Sequence, residues 1–143
     1  MLILPVEYAS PAYDEIVALR DTLLRKPLGL QFKVNEMDKE YLQIHFAAYT
    51  YDWELRGCLV LKPLGEEVIK MRQVAVAEAH QGQGIGQALV VASEEWARAR
   101  GYREMELNAR DVAVVFYEKL GYVKQGEPFE EVSIKHFKMV KEL

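Results

Sequence analysis

A strand-like run, Val68-Ile-Lys-Met-Arg-Gln-Val-Ala-Val76, leads through Ala77-Glu-Ala-His80 into the glycine-rich turn Gln81-Gly-Gln-Gly-Ile-Gly86. β-branched residues dominate the run, and strict alternation places on one face Val68, Lys70, Arg72, Val74 and Val76. After the turn, apolar residues recur at helical spacing, namely Ile85, Ala88, Leu89, Ala92, Trp96 and Ala99. The sequence therefore predicts a strand, a glycine turn and a helix from Gly84 to Arg100.

The glycine turn occupies the first turn of the predicted helix, where backbone N–H groups have no intrahelical acceptor. These N–H groups and the positive end of the helix dipole point toward one place. Glycines let a ligand approach the backbone closely because no Cβ intervenes. The pattern favours an anion site, most of all for a pyrophosphate, and the alternative is a glycine turn without a ligand.

Two other phosphate-binding motifs do not match the turn. A P-loop needs Lys and then Ser or Thr after its last glycine, and neither follows Gly86 in that register. A dinucleotide fingerprint needs glycine where this chain has Gln87, although Glu106 lies about twenty residues further on, as a ribose-binding acid would. A dinucleotide-binding domain also places its glycine loop after the first strand, whereas roughly half of this chain precedes the turn.

Composition narrows the function classes. The 143 residues, half of them apolar, suit one compact domain over residues 1–143. The net charge of −4 gives no electrostatic case for nucleic acid or an anionic membrane. Cys58, the single cysteine, lies in an apolar run and is expected in the core rather than as a nucleophile. With no signal peptide or membrane-spanning stretch, a cytoplasmic location is expected.

Strand and helix signals alternate along the rest of the chain. Further strands are predicted at Met1–Val6, Leu42–Ala48, Glu54–Pro63, Tyr102–Asn108, Tyr122–Gln125 and Val132–Val140. Ser10 is expected to cap a first helix, Pro5 favours a sheet edge, and Pro128 and Phe129 are expected in a loop. A short helix or loop is expected at Gln31–Glu40 and a helix at Asp111–Leu120. The order β-α-(α)-β-β-β-α-β-α-β-β indicates an α/β fold with a mixed, mostly antiparallel sheet flanked by helices.

Two motifs together resemble the GNAT family of N-acetyltransferases. Gln81-Gly-Gln-Gly-Ile-Gly86 is similar to the family's Gln/Arg-x-x-Gly-x-Gly/Ala motif. Phe116-Tyr-Glu-Lys-Leu-Gly-Tyr122 resembles the second hallmark, at the family's usual spacing. The resemblance implies the acyl-CoA N-acyltransferase (GNAT) fold, in which the strands carrying Val74 and Leu107 splay apart around the cofactor.

The resemblance also implies a site for acetyl-coenzyme A (acetyl-CoA) as co-substrate, without a metal. Backbone groups around Val74, Ala75 and Val76 would pair with the pantetheine amides. The pyrophosphate would be surrounded by Gln81, Gly82, Gln83, Gly84, Ile85, Gly86 and Gln87. Asn108 or Arg110 would reach the cofactor from the next strand, and a β-branched residue at Gly84 or Gly86 should obstruct the phosphates.

The implied chemistry is attack of an amine on a thioester, which needs an acid for the leaving sulfur and a base for the amine. Tyr117 sits where the family places the tyrosine that protonates the thiolate. Some members carry a catalytic Glu on the central strand, where this chain has Lys70 and Arg72, and neither is a base at neutral pH. The base is therefore unassigned between Glu130, Glu131, His136, His45 and water.

The acceptor would be a primary amine of a small molecule or peptide, and the resemblance also allows a homodimer. In this fold the first helix and the segment after it, here Arg20 to Phe32, usually form one wall of the acceptor pocket. Arg20, Arg25 and Lys26 there favour either an acceptor with a carboxylate or phosphate, or merely a solvated basic helix face. The runner-up function is a non-catalytic coenzyme A-binding sensor, and a nucleotide-binding module is third.

Overall fold

The computed structural model describes residues 1–29 and 39–143. Its strands are β1 Leu2–Val6, β2 Ile44–Tyr49, β3 Leu55–Pro63, β4 Val68–Val76, β5 Glu104–Arg110, β6 Val123–Lys124, β7 Phe129–Glu131 and β8 Ile134–Glu142. The described α-helices are α1 Pro11–Arg20, α2 Ile85–Ala99 and α3 Val114–Lys119. Single 3-10 or π-helical turns lie at Asp21–Arg25, Lys26–Leu28, Lys39–Leu42, Glu78–His80 and Asp111–Ala113. The helix or loop predicted for Gln31–Glu40 lies outside the described residues except at its last two positions.

The described strands form one sheet in the order β1-β2-β3-β4-β5-β8-β6, with β7 paired to β8. The β4–β5 pair is parallel and the other pairs are antiparallel, which confirms the predicted mixed sheet. Pro5 lies in the edge strand β1, as predicted, where an edge position tolerates its missing N–H. Ser10 caps α1 as predicted, since its hydroxyl accepts a hydrogen bond of 3.2 Å from the backbone N–H of Tyr13.

Two helices cover opposite faces of the sheet. On one face Ile16 of α1 packs in a cluster with Ala47, Cys58 and Ala75. On the other face α2 contributes Ile85, Leu89, Val90 and Ala97 to a larger cluster that includes Phe46, Leu59 and Met71. Residues next to each other on β2 and β3 thus enter different clusters, as strand alternation requires. Cys58 is fully buried and burial raises the pKa of its thiol to about 12, which confirms it as a core residue.

A β-bulge in β4 interrupts that alternation. Cys58 lies opposite Ala75, yet Val60 lies opposite Arg72, so β4 carries one extra residue between the two pairs. Within this extra stretch Gln73 has a left-handed backbone conformation, with a φ of +55°. Beyond the bulge Ala75 packs toward α1, while Val74 and Val76 pack toward α2. The prediction that strict alternation holds along Val68–Val76 is therefore wrong after Arg72, because the extra residue exchanges the two faces.

The buried stripe of α2 differs from the predicted one. Ala99 is exposed, whereas Ser93 and Glu94 are buried. Glu94 is accommodated because Tyr122 donates a hydrogen bond of 2.7 Å to one carboxylate oxygen and Lys141 one of 3.0 Å to the other. The stripe was mispredicted because these two partners come from distant strands and loops, which helical spacing cannot reveal.

The C-terminal region also corrects the prediction. Phe129 was expected in a loop and instead pairs with His136 in the β7–β8 hairpin. Val132 was expected in a strand, but Val132 and Ser133 form the two-residue turn, with φ values of +47° and +62°. Both residues have positive φ, as a type I′ hairpin turn requires, although neither is a residue that signals such a turn.

Candidate active site

A cleft opens where β4 and β5 separate. The two strands pair only from Val68 with Glu104 to Lys70 with Glu106, and both continue beyond that point without pairing. The cleft has a volume of about 340 Å³, and its polar or aromatic lining residues are Arg25, Lys70, Arg72, Gln73, Asn108, Arg110, Tyr117, Glu131 and His136. The separation agrees with the splayed strands that the resemblance implied, and Val74 and Leu107 lie on its two sides.

The glycine turn presents its backbone openly. Gly82 and Gly84 have φ values of +79° and +82°, and an added Cβ at either would meet nothing within 4 Å. Gly84 is the N-cap of α2 and supplies no side-chain hydrogen bond to the first N–H groups of the helix. Gln81 supports the turn by donating from Nε2 to the carbonyl of Val76 at 3.0 Å. This combination of open backbone and an uncapped helix start is suited to a phosphate group.

Gly86 has different surroundings from Gly82 and Gly84. A Cβ added there would lie 3.5 Å from Cζ of Phe116 and 3.7 Å from Cγ2 of Val76. These are ordinary contact distances, and the Cβ would point at protein atoms rather than toward the open side of the turn. The role of Gly86 at the phosphates stays a prediction, and the sharper test of the turn as an anion site is at Gly84, where the Cβ position is open.

Tyr117 is held at the cleft by α3. Its side chain is 8% exposed, and its ring lies 5.0 Å from that of Phe116 and 5.8 Å from that of Tyr122. Burial raises the pKa of Tyr117 to about 12, so the phenol keeps its proton throughout the neutral range. Its hydroxyl makes no hydrogen bond with another residue of the described chain. A cleft-facing, protonated phenol can act as an acid.

The β7–β8 hairpin brings two of the four predicted base candidates to the cleft. His136 is buried, and its Nδ1–H donates to the carbonyl of Ile134 at 2.7 Å, which leaves the lone pair of the neutral ring on Nε2. Glu131 lies across the cleft mouth and accepts a weak hydrogen bond of 3.4 Å from Asn108. Glu130 is exposed and points to the other face of the hairpin, so it does not line the cleft.

His45, the remaining candidate, belongs to a buried polar cluster behind β4. Arg20, fully buried, donates two hydrogen bonds of 2.8 and 2.7 Å to the carboxylate of Glu40. Tyr13 donates a third to Glu40 at 2.7 Å, and Nε2–H of His45 donates to the Glu40 carbonyl at 2.9 Å. Burial lowers the pKa of His45. The expectation of a solvated polar face at Arg20 is therefore wrong, because a carboxylate from outside α1 neutralises it.

Arg20 also reaches the bulge, since its Nε donates to the side-chain oxygen of Gln73 at 3.3 Å. Burial opposes ionisation of Glu40, yet the hydrogen bonds and charge of Arg20 hold its pKa below the ordinary carboxyl value. Neither Glu40 nor Gln73 was singled out from the sequence. The sequence carried no clear signal for the bulge, because Lys70 and Arg72 are polar residues of the same strand and a bulge is recognised from its pairing with β3.

The basic residues around the cleft divide into two groups. Lys26 is exposed and lies 3.5 Å from Asp21, away from the cleft lining. The basic residues that do line the cleft are Arg25, Lys70, Arg72 and Arg110.

Within residues 1–29 and 39–143, no cluster of three or more His, Cys, Asp or Glu side chains is arranged to hold a metal ion. Over the same residues, no helix is long and apolar enough to cross a membrane.

Comparisons with known proteins agree with this geometry. Residues 29–143 match the family profile described as "Acetyltransferase (GNAT) domain". A Mus musculus protein assigned as N-acetyltransferase family 8 member 5 is 33% identical over 118 residues, which cover 73% of this chain and 50% of the mouse protein. The chain thus spans about half the length of the curated relatives it matches.

Solved structures show the same fold over the whole chain. A Lactobacillus plantarum protein assigned as an N-acetyltransferase superposes with a TM-score of 0.84 at 28% identity, covering 100% of this chain and 99% of that one. A GNAT family acetyltransferase from Elizabethkingia anophelis, solved with acetyl-CoA bound, gives a TM-score of 0.75 at 23% identity over 99% of this chain and 97% of that one. Profile, relatives, fold and site geometry together place this chain in the GNAT acetyltransferase family.

Proposed function

We propose that this chain is an acetyl-CoA-dependent N-acetyltransferase that acetylates a primary amine of a small molecule or peptide in the β4–β5 cleft. One observation carries the proposal: the strands separate beside a buried, protonated Tyr117, and the open glycine turn begins five residues after the end of β4. The cleft supplies a proton donor, and the turn supplies an anion site, in the order that a long thioester cofactor requires.

The residues present fit coenzyme A. The N–H groups of Gly82 to Gln87 would hold the pyrophosphate, because the open side of Gly82 and Gly84 leaves room for it. The backbone of Val74, Ala75 and Val76 would pair with the pantetheine, since β4 has no strand partner on the β5 side there. Asn108 and Arg110 line the opposite wall. Acetyl-CoA, when bound, would supply the acetyl group as a reactive thioester.

The chain's own residues then handle the protons. Tyr117 would donate the proton on its Oη toward a departing thiolate. Its raised pKa means that this proton is present throughout the neutral range. His136 presents Nε2 as an acceptor for a proton of the amine, while its Nδ1–H bond to Ile134 keeps the ring oriented. Both side chains line the same cleft. We assign Tyr117 as the acid and His136 as the preferred base, with Glu131 and water as the other acceptors.

The first test is a ligand panel. Acetyl-CoA at about 100 times its Kd should stabilise the fold by about 2.7 kcal/mol and raise Tm by several degrees. NAD and ATP at the same concentrations should not. An acceptor screen that detects released thiol then checks for turnover. Stabilisation by NAD alone would contradict the proposal.

One observation favours the non-catalytic coenzyme A sensor as second candidate. No carboxylate of β4 can serve as a base, because Val68–Val76 contains neither Asp nor Glu. The sensor predicts that acetyl-CoA raises Tm while no amine yields thiol above the rate of spontaneous hydrolysis. Thiol release that depends on the amine would exclude it.

A pair of glycine variants tests the turn as the phosphate site. Gly84→Val should weaken coenzyme A binding at least tenfold, about 1.4 kcal/mol, because its side chain would occupy the open side of the turn. Gly101→Val is the matched control, since Gly101 stands at the other end of α2 with a φ of +89° and open space around it. Both variants should lose about 1–2 kcal/mol of stability through left-handed strain. Calorimetry should find weakened binding only in Gly84→Val, and equal affinities in the two would argue against the turn.

A further inference from the structure

One guanidinium in the cleft wall, that of Arg72, is hydrogen-bonded to a neutral amide among the described residues. Arg72 is half-buried on β4, and its Nη1 donates a hydrogen bond of 3.0 Å to the neutral amide oxygen of Gln43. Across residues 1–29 and 39–143, no carboxylate lies within ion-pair distance of Arg72. Burial lowers the pKa of the guanidinium, and the charges of Glu40 and Glu131 offset only part of this effect. A bound anion would offset more of the cost of burying this charge.

The surroundings of Arg72 are positive as well. Four cationic side chains line the cleft, Arg25, Lys70, Arg72 and Arg110, whereas Glu131 is the one carboxylate among its described lining residues. Glu131 accepts only a weak hydrogen bond of 3.4 Å from Asn108, and its single charge offsets part of the positive lining. The whole chain carries a net charge of −4, so the cleft has the opposite sign to the molecule around it. A concave site of one sign concentrates ligands of the other sign.

The glycine turn does not account for this charge. Arg72 precedes the bulge, and Val76 lies four residues further along β4, about 13 Å away at roughly 3.3 Å per residue. The turn begins five residues beyond Val76. A pyrophosphate on the turn would therefore be too far from Arg72 for an ion pair. An anion bound by Arg72 would therefore lie at the other end of the cleft from the turn.

We infer that Arg72 binds a carboxylate of the acceptor, so that the acceptor is an amine with a nearby carboxylate, as in an amino acid. Gln43 occupies one nitrogen of the guanidinium and leaves its remaining N–H groups for a carboxylate. The same positive wall would disfavour the ammonium form of the acceptor and thereby help its deprotonation. A polyamine would be repelled. This inference rests on the proposed function, which assigns the cleft to the acceptor.

The test compares acceptors that differ by one carboxylate. Phenylalanine, phenethylamine and spermidine are assayed by thiol release with the wild-type protein, Arg72→Gln, Arg72→Lys and Lys26→Gln. Wild type should prefer phenylalanine to phenethylamine by at least tenfold in kcat/KM, with spermidine poorest. Arg72→Gln should reduce that preference to below threefold, mainly through KM, and Arg72→Lys should retain an intermediate preference because it keeps the charge. Lys26→Gln should keep the wild-type preference, since Lys26 lies outside the cleft lining.

Two results would overturn the carboxylate site. One is a wild-type preference for phenethylamine or spermidine, and the other is an unchanged preference in Arg72→Gln. If acetyl-CoA binds but no amine is acetylated, the proposed function fails. The carboxylate site at Arg72 is then tested separately, by measuring the binding of compounds with and without a carboxylate. Calorimetry with N-acetylphenylalanine and N-acetylphenethylamine in the presence of coenzyme A should show carboxylate-dependent binding that Arg72→Gln weakens tenfold. Equal binding of the two N-acetyl compounds would overturn the inference.

Discussion

Tyr117→Phe should lower kcat by on the order of a hundredfold or more while leaving coenzyme A affinity nearly unchanged. The substitution keeps the ring and its contacts with Phe116 and Tyr122 but removes the proton. Stability should change little, because the hydroxyl makes no hydrogen bond with another described residue. The measurements are single-turnover and steady-state rates with the best acceptor, alongside a melting curve.

Tyr122→Phe is the matched control for this result. Tyr122 is the neighbouring ring, but its hydroxyl donates to buried Glu94 instead of facing the cleft. Losing that bond should cost about 1–3 kcal/mol of stability, whereas kcat at a temperature where the variant is folded should stay within a few-fold. Full activity in a stable Tyr117→Phe variant would mean that the thiolate leaves without this acid.

Glu40→Gln should destabilise the fold by about 3–5 kcal/mol, the usual loss when one partner of a buried ion pair is removed. The carboxylate of Glu40 accepts two hydrogen bonds from fully buried Arg20 and one from Tyr13, and an amide oxygen can accept only part of this set. Glu67→Gln is the control, because Glu67 and Arg103 form an exposed pair at 3.8 Å. Its loss should stay below about 1 kcal/mol in urea unfolding.

The Arg20–Glu40 pair also predicts how the stability of the fold depends on pH. Because the folded pKa of Glu40 lies below its ordinary value, the ionised carboxylate stabilises the fold above that ordinary value. This contribution is lost as the pH falls below about 4, toward the folded pKa. Wild-type stability should therefore fall more steeply on acidification than that of Glu40→Gln. Parallel pH profiles in the two proteins would contradict the assignment of a charged Glu40.

The local sequence pattern was enough to predict those elements that are stabilised by residues close to them in the sequence. Val68–Val76 was predicted with the bounds that β4 has, since β-branched residues and a flanking turn identify a strand without knowledge of its neighbours. The Ser10 cap and the glycine turn before α2 were predicted for the same reason, because capping and left-handed residues act within one helical turn. The two family motifs extended this to the family's fold, while the role of Tyr117 stays a prediction.

Only the tertiary structure decided which side chains meet. The bulge at Gln73 depends on pairing with β3, and it exchanges the faces of Val74 and Ala75. The sequence pattern predicts a solvated Arg20 on its helix. In the fold Arg20 is buried, because Glu40 from outside that helix neutralises its charge, and it also donates a hydrogen bond to Gln73. His136 reaches the cleft and His45 does not, because β8 places His136 opposite Arg110 at the cleft end of β5, while β2 buries His45. Sequence periodicity reports the preferences of single elements. Contacts between elements far apart in the chain depend on pairing register and on partners that neutralise a buried charge, which no single element contains.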